Sequence, residues 1–575
     1  MENKQIIKLL KQTTKLMELF GENDFKIRSY NSAVFNIEKA DVRLADLSQE
    51  ALNKIDGIGK SISATIYEIA TTGQYSYLNE LREKTPAGVL DMMQLSGFGP
   101  KKVKLLWEEL QIETLEDLIQ ACKENKVATL KGFAEKTQAQ LMVAAKFRIG
   151  TRGFLHFREA ELLAKEIIEF LTGFSNSNLI GVTGGIRRKL ETINVVEILI
   201  ATNEKSKVIK TFKEKVDFEI NPKLSGPLKL TLIHLSTKVT VDVLFCKEED
   251  FVNELYRTSA SPRHLSHILG SGESIYTELK KRRFASEEAF YKEIGLPFIP
   301  VELREGLWEF DLAAQGNVPK LVVVDDLKGI LHNHSTYSDG AHTLEQMATY
   351  CKSLGYQYLG ISDHSKTAVY ANGLSENRVK EQHQEIDLLN QQLAPFRILK
   401  GIESDILNDG SLDYSDEILE TFDFVVASIH AQLNMDEQTA TERLIKAIAN
   451  PYTTMLGHPT GRLLLKRKGY PINHKAVIDA CAEYGVIIEI NAHPWRLDLD
   501  WRHVKYALDK GVKIAVNPDA HEEKGYHDMY YGVCVGRKAA LSAEDTFNAL
   551  SLDEVVSYFD KRKERASVLL QNKNI

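Results

Sequence analysis

A chain of 575 residues, 43% hydrophobic and 26% charged, has the composition of a soluble globular protein but is too long for one core, so about three or four domains are expected. No apolar run reaches the ~18 residues of a membrane span, MENKQIIKLLKQ is charged where a signal peptide is apolar, and five scattered cysteines (Cys122, Cys246, Cys351, Cys481, Cys534) without Cys-x-x-Cys exclude a disulfide framework and a zinc–thiolate site. A cytoplasmic protein with no membrane partner is expected, and its net charge of −8 falls almost wholly in the last ~250 residues, which suits either a carboxylate-rich site neutralised by cations or a plain acidic surface.

From Met1 to about Gly150 the chain is helix-rich and Pro-poor. Two stretches there share one plan: LNKIDGIGKSISATIYEI (Leu52–Ile69) and MQLSGFGPKKVKLLWEEL (Met93–Leu110). In each, a helix runs into Gly-x-Gly with lysine nearby, and a second helix begins. The glycines, Gly57 with Gly59 and Gly97 with Gly99, let a phosphate approach the backbone, and the new helix offers it free N–H groups. Lys60, Lys101 and Lys102 add positive charge at the loops. One such loop is indistinguishable from a helix-capping turn. Two in tandem give the helix-hairpin-helix pattern, which grips nucleic-acid backbone without reading bases. A weaker third copy, LKGFAEKTQAQL (Leu130–Leu141), has Ala134 in place of the second glycine.

A mixed α/β segment follows, and from Gly329 a pattern repeats. GILHNH, YLGISDH, RILKGIE, FVVASIH, TTMLGH, VIIEIN and KIAVNPDAH are short β-rich apolar runs, each leading into a helical stretch. Such alternation indicates βα units around a buried parallel sheet, whose chemistry gathers at the C-terminal strand ends. His332 and His334 share a face if a strand runs through them, and Asp339 returns from the next loop. His364, Glu403, His430, His458, Asp519 and His521 fall at later strand ends. Singly, each has a structural explanation; Glu403, for example, could cap the next helix. Six of seven successive strands ending in His, Asp or Glu exceed what scattered placement of 16 histidines produces, so metal binding is expected.

HNHSTYSDG, ISDHS, GIESDI, SIH, GHPTGR, EINAHP and PDAH resemble the motifs of the PHP (polymerase and histidinol phosphatase) domain, over about Val324 to Ile575. The resemblance implies a distorted (β/α)7 barrel with three divalent ions on those nine positions. His332, His334, Glu403 and Asp519 would hold one ion. Glu403 would bridge to a second, held by His430 and His458, and Asp339, His364 and His521 would hold the third. Histidine and carboxylate donors without thiolate suit manganese, zinc or iron. Clustered dications make hydroxide available near neutral pH and neutralise phosphate oxygens, the chemistry of a phosphoesterase. Lys366, Arg462 and Arg496, each beside a ligand motif, are candidate phosphate contacts.

The order of hairpins, mixed segment and PHP motifs resembles the bacterial family X DNA polymerases over nearly the whole chain. KIRSYNSAVFNIE (Lys26–Glu38), FREAELLAKEIIEFL (Phe157–Leu171) and EIGLPFIPVELREG (Glu293–Gly306) look like that family's N-terminal, palm-entry and thumb segments. The implied division is a lyase-like helical domain at 1–85, a fingers-like one at 86–150, a polymerase β-like palm at 151–245, a thumb at 246–315, a linker at 316–328, and the barrel at 329–575. The fold class is thus multidomain, α plus α/β.

The palm departs from the family pattern. GGIRRKLETINVVEILIA keeps Gly184, Gly185, Arg187 and Arg188, but Val195 and Glu197 stand where the family's Asp-x-Asp would hold magnesium; Asp242 in VTVDVLF keeps the third carboxylate. Valine cannot ligate, and glutamate, one methylene longer, displaces any ion from a strict octahedral site. Ser259 replaces a glycine of the nucleotide pocket, and Thr65 stands at the family's Schiff-base lysine, where a hydroxyl cannot form the imine. The expectation is therefore a palm that keeps its fold and has lost, or nearly lost, templated synthesis. The barrel would cut DNA as a 3′→5′ exonuclease and abasic-site endonuclease, on DNA gripped by its backbone, in a monomer. The rival readings are an active gap-filling polymerase with a proofreading barrel and magnesium in the palm, a non-catalytic DNA-binding scaffold, and a small-molecule phosphatase.

Overall fold

Apolar residues at helical spacing draw the N-terminal helices together: Ile6, Leu10 and Met17 on Asn3–Phe20, Ile62, Ile66 and Ile69 on Lys60–Thr72, and Val103 with Leu106 on Pro100–Leu110. The computed structural model describes residues 1, 3–38, 42–95, 97–174 and 177–573, and separates into two units, Met1–Arg152 and Gly153–Ile575. Every named element of the first unit is a helix, and one apolar cluster runs from Ile6 to Ala145. Among the described residues, no separate core marks a division at residue 85.

After a helix at Phe157–Phe174, the second unit builds a five-stranded sheet. Its strands are β1 (Ile180–Val182), β2 (Val195–Ala201), β3 (Phe218–Ile220), β4 (Lys229–His234) and β5 (Thr240–Cys246), in the order β1-β2-β5-β4-β3. Only β2 against β5 is parallel. Val196, Ile198 and Ile200, alternating along β2, bury one face in the same apolar cluster as Ala160, Leu163 and Ile167 of helix Phe157–Phe174. A helical segment then gathers its own cluster around Tyr256, Phe290 and Tyr291. Residues 316–328, expected as a linker, are packed chain: Leu321 joins that helical cluster, and Val322 joins the barrel core and donates its N–H to Leu541 O at 2.9 Å.

Each of the seven apolar runs holds one strand of a parallel sheet: β6 (Gly329–Ile330), β7 (Tyr358–Ile361), β8 (Arg397–Asp405), β9 (Phe424–Ser428), β10 (Met455–Leu456), β11 (Ile487–Asn491) and β12 (Ile514–Asn517), adjacent in that order. The sheet nearly closes into a barrel, because Asp519 N donates to His332 O at 3.1 Å and His334 N to Ala520 O at 2.8 Å. Regular strand β6 stops at Ile330, so His332 and His334 lie beyond it; these closing bonds hold them extended. Phe547, Val555 and Phe559 pack against the strand starts Tyr358, Phe424, Met455 and Ile487, plugging the opposite end.

Candidate functional site

The C-terminal strand ends of the barrel bring all nine expected side chains together. Glu403, near the end of β8, is the hub. Its Oε1 lies 3.3 Å from His332 Nε2, 3.2 Å from His430 Nε2 and 3.0 Å from His458 Nε2, while Oε2 lies 3.0 Å from His364 Nδ1 and 3.7 Å from His334 Nε2. Asp519 Oδ1 is 3.1 Å from His334 Nε2 and 3.7 Å from His332 Nε2. Asp339 Oδ1 is 3.4 Å from His521 Nε2 and 3.7 Å from His364 Nε2. They form four overlapping groups whose ligand atoms lie within 4.8 Å of one another: His334, Asp339, His364 and His521; His332, Glu403 and His458; His332, His334 and Asp519; His364, Glu403 and His430.

Burial makes this cluster costly unless cations fill it. His332 Nε2, His334 Nδ1, His364 Nδ1, His458 Nδ1 and Glu403 Oε2 are buried without a hydrogen-bond partner, each at roughly 1–3 kcal/mol. Ions among the acids would satisfy His332 Nε2, His364 Nδ1 and Glu403 Oε2, while His334 and His458 turn Nε2 toward the same acids; a donor set of imidazole and carboxylate fits borderline divalent metals. The electrostatics agree. Burial opposes charge on His332, yet Glu489, Glu403 and Asp519 raise its imidazole well above the usual range. Against the same burial, Glu403 and Asp405 raise His430 to about 10. Glu403 itself, despite burial, is held well below the carboxylate range by His430, His332 and His364. A field this negative attracts cations. Asp519, at φ +51°, adopts a left-handed conformation unusual for a non-glycine residue, a strain that gathers at functional sites.

Sequence reasoning missed the residues that aim the ligands. Glu489 and Asn491, two apart on β11, face the cluster together. Glu489 Oε1 accepts from His332 Nδ1 at 2.7 Å and its Oε2 from the His458 N–H at 2.8 Å, while Asn491 donates to Asp519 Oδ2 at 3.0 Å. Asp405 takes His430 Nδ1 at 2.5 Å. Asp363 accepts from Ser335 N and Ser338 Oγ, fixing the loop that carries Asp339. The available signal was an acid inside an apolar strand run, VIIEIN, where only a partner justifies a buried charge.

The three candidate phosphate contacts separate. Arg496 stands at the cluster, with Nε 3.4 Å from Asp519 Oδ2. Lys366 is half-exposed and sits 3.5 Å from Glu376. Arg462 is spent on the fold: it donates to the Arg496 and Leu497 carbonyls and pairs with Asp500, leaving no free fork for a phosphate.

At the hairpins, Gly59 and Gly99 are the N-caps of Lys60–Thr72 and Pro100–Leu110, and Gly57 and Gly97 have φ of +75° and +82°. A methyl group on Gly59 or Gly99 would meet nothing within 4 Å, so nothing inside the protein requires glycine there. Lys60 and Lys101 are exposed and Lys102 partly so. Gly132, at φ +90°, and Ala134 at the next N-cap repeat the geometry. Thr65 is buried among the hydroxyls of Tyr30 and Tyr75.

In the segment expected to form the palm, Glu197 and Asp242 are directly paired on β2 and β5. Lys229 Nζ lies 3.0 Å from Asp242 Oδ2, and Thr231 donates to Oδ1 at 2.6 Å. Burial, with Asp242 adding to it, raises Glu197 above the usual carboxylate range. Gly184 is forced: at φ +60°, a Cβ there would sit 1.6 Å from Glu197 Oε2. Gly185 packs against Leu190 and Ile193. Arg187 is paired with Glu287 at 2.7 Å and Arg188 with Glu305 at 3.0 Å, while Ser259 Oγ receives Arg187 at 3.0 Å. Buried Lys538, from the barrel side, reaches Glu305 at 2.6 Å and the Arg188 carbonyl at 2.9 Å.

Family models match residues 1–75 (helix-hairpin-helix domain), 89–146 (SAM-like helix-hairpin-helix tandem) and 331–493 (PHP domain). The DNA polymerase/3'-5' exonuclease PolX of Bacillus subtilis (strain 168) is 34% identical over 581 residues, covering 98% of this chain and 100% of that protein. Probable phosphatases of Thermoanaerobacter sp. (strain X514) and Acetivibrio thermocellus are each 28% identical over 41% of this chain and 95% of their own length. Among the described residues, no helix is long and apolar enough to cross a membrane.

Proposed function

This chain belongs to the bacterial family X DNA polymerases with a C-terminal PHP domain, and we propose that its working centre is the barrel, hydrolysing DNA phosphodiesters from 3′ ends and at abasic sites. One observation carries this reading: nine His, Asp and Glu side chains at the strand ends and following loops of the barrel converge in four overlapping groups, each holding Glu403, Asp519 or Asp339 as its carboxylate. Three divalent ions (manganese, zinc or iron) would be held as the sequence motifs imply: by His332, His334, Glu403 and Asp519; by Glu403, His430 and His458; and by Asp339, His364 and His521. When bound, they supply Lewis acidity toward the phosphate and activation of water near neutral pH.

The protein's own groups prepare that chemistry. Glu489 holds His332 by Nδ1, and Asp405 does so for His430, so that Nε2, turned toward Glu403, is the atom each ring would offer to an ion. Arg496 stands where it can hold a phosphate oxygen beside Asp519. The hairpin loops, with Gly57, Gly59, Lys60, Gly97, Gly99, Lys101 and Lys102, would supply salt-sensitive, sequence-independent grip. The palm would guide DNA without templated synthesis: Val195 cannot ligate, Lys229 neutralises Asp242, and Arg187 and Arg188 are paired with acids.

The test is a 5′-labelled oligonucleotide incubated with Mn²⁺ and the wild type, His332→Ala or Asp242→Ala protein, with primer extension in parallel. Shortening from the 3′ end by wild type and Asp242→Ala, abolished in His332→Ala with DNA affinity retained, is expected. An inert wild type would refute the barrel reading. Synthesis that vanishes in Asp242→Ala would refute the palm reading.

A further inference from the structure

Beside His364 the chain makes a turn that is firmly held yet presents apolar side chains to solvent. Val369–Ala371 is a single 3-10 turn anchored by its buried last residue, Ala371, and by buried Ala368 just before it. Ala368 N–H donates to Ser365 O, and Ala371 N–H and Gly373 N–H donate to Ala368 O. Thr367 is tied to Asp413 and Asp405, and the Asn372 amide donates to the carbonyls of Tyr337 and Ser338, next to Asp339. From this support Tyr370 projects 71% exposed, with Val369 at 82%. Exposure of that kind on a rigid turn gains nothing within the protein.

The ring's position supplies a use. Its centroid lies 6.2 Å from that of His364, which itself faces Glu403 and Asp339. Arg496 lies at the same cluster, against Asp519. Arg467 lies near enough to interact with both Arg496 and Tyr370, so two guanidiniums stand close to this ring, the charge that an anionic backbone requires.

We propose that Tyr370 is the platform on which the unpaired terminal base of a DNA strand stacks, placing the adjoining phosphodiester at the cluster beside Arg496. This rests on the nuclease reading above and names the feature of the strand that the site holds. An aromatic face accepts any base, so the platform serves removal of nucleotides without regard to sequence.

Wild type, Tyr370→Ala and Tyr370→Phe are compared on single strands ending in an ordinary nucleotide or in a 3′-terminal abasic nucleotide. Wild type and Tyr370→Phe should show a KM roughly 10-fold lower for the ordinary end. Tyr370→Ala should lose that preference, the change falling on KM more than on kcat. A strand with 2-aminopurine at its 3′ end, titrated without added metal, should be quenched by wild type and Tyr370→Phe and not by Tyr370→Ala. Thermal melting of the variants checks the fold. Retained preference or retained quenching in Tyr370→Ala overturns the proposal. Absence of any degradation by wild type strikes the nuclease reading instead, and the quenching comparison still decides the platform.

Discussion

Glu489 grips His332 from behind: its Oε1 accepts from Nδ1 at 2.7 Å, while its other oxygen accepts the His458 N–H at 2.8 Å. One acid on β11 thus orients one imidazole and positions the backbone of a second. Both Glu489 and His332 are fully buried, so no water can take over the role.

Glu489→Gln should therefore lower bound metal and nuclease rate together by about 10–100-fold. Elemental analysis of the purified protein and the oligonucleotide assay read the two quantities. Full metal content and rate in the variant would show that Glu489 does not orient the cluster.

At the hairpins, Gly59→Ala and Gly99→Ala should leave melting temperature unchanged, since the added methyl meets nothing within 4 Å. Both should weaken DNA binding if a phosphate approaches there. Replacing Lys60, Lys101 or Lys102 with alanine should reduce the log–log salt slope of binding by about one each. Titrations at several salt concentrations measure both effects. Gly57→Ala is the contrast: with φ +75° and the Asn36 amide 2.2 Å from the new Cβ, it should destabilise the first unit.

In the five-stranded sheet, Gly184→Ala forces a methyl against Glu197 at a left-handed backbone position. A loss on the order of 1–3 kcal/mol is expected, visible by denaturant titration, with the Mn²⁺-dependent nuclease rate retained under native conditions. An unchanged midpoint would mean that Glu197 is free to turn away.

The barrel should weaken in mild acid. Burial, reinforced by Lys400, lowers His383 to about 4, and burial, reinforced by His503, lowers His474 to about 4. Their folded values lie below the 6.5 of a free imidazole. The unfolded chain takes up protons that the folded one refuses, so this stability is complete above pH ~6.5 and is lost as pH falls toward about 4. Allowing for partial exposure, each should cost on the order of 1–2 kcal/mol. Melting temperature against pH should fall across that window, less steeply in His383→Gln; identical slopes would remove His383 from the account.

The barrel and the histidines and acids at its strand ends were legible in the sequence because strands buried on both faces read as apolar runs, and such a residue ends most of them. The hairpins were legible because Gly-x-Gly before a helix is a local backbone requirement. The roles of Glu489, Asp405 and Asp363 were not, since each depends on a partner strand: Glu489 and His332 are 157 residues apart. Arg462 and Arg496 looked alike beside their motifs, yet backbone carbonyls and Asp500 consume the first while the second stays at the cluster. Val195 and Glu197 could be read directly, but the pairing of Arg187 with Glu287, Arg188 with Glu305 and Lys229 with Asp242 could not. Sequence by itself determined which elements form and which donor types they carry, because backbone geometry and solvation act within a few residues. Tertiary structure alone decided which charge neutralises which, because that choice depends on ångström-scale distances between segments far apart in the chain.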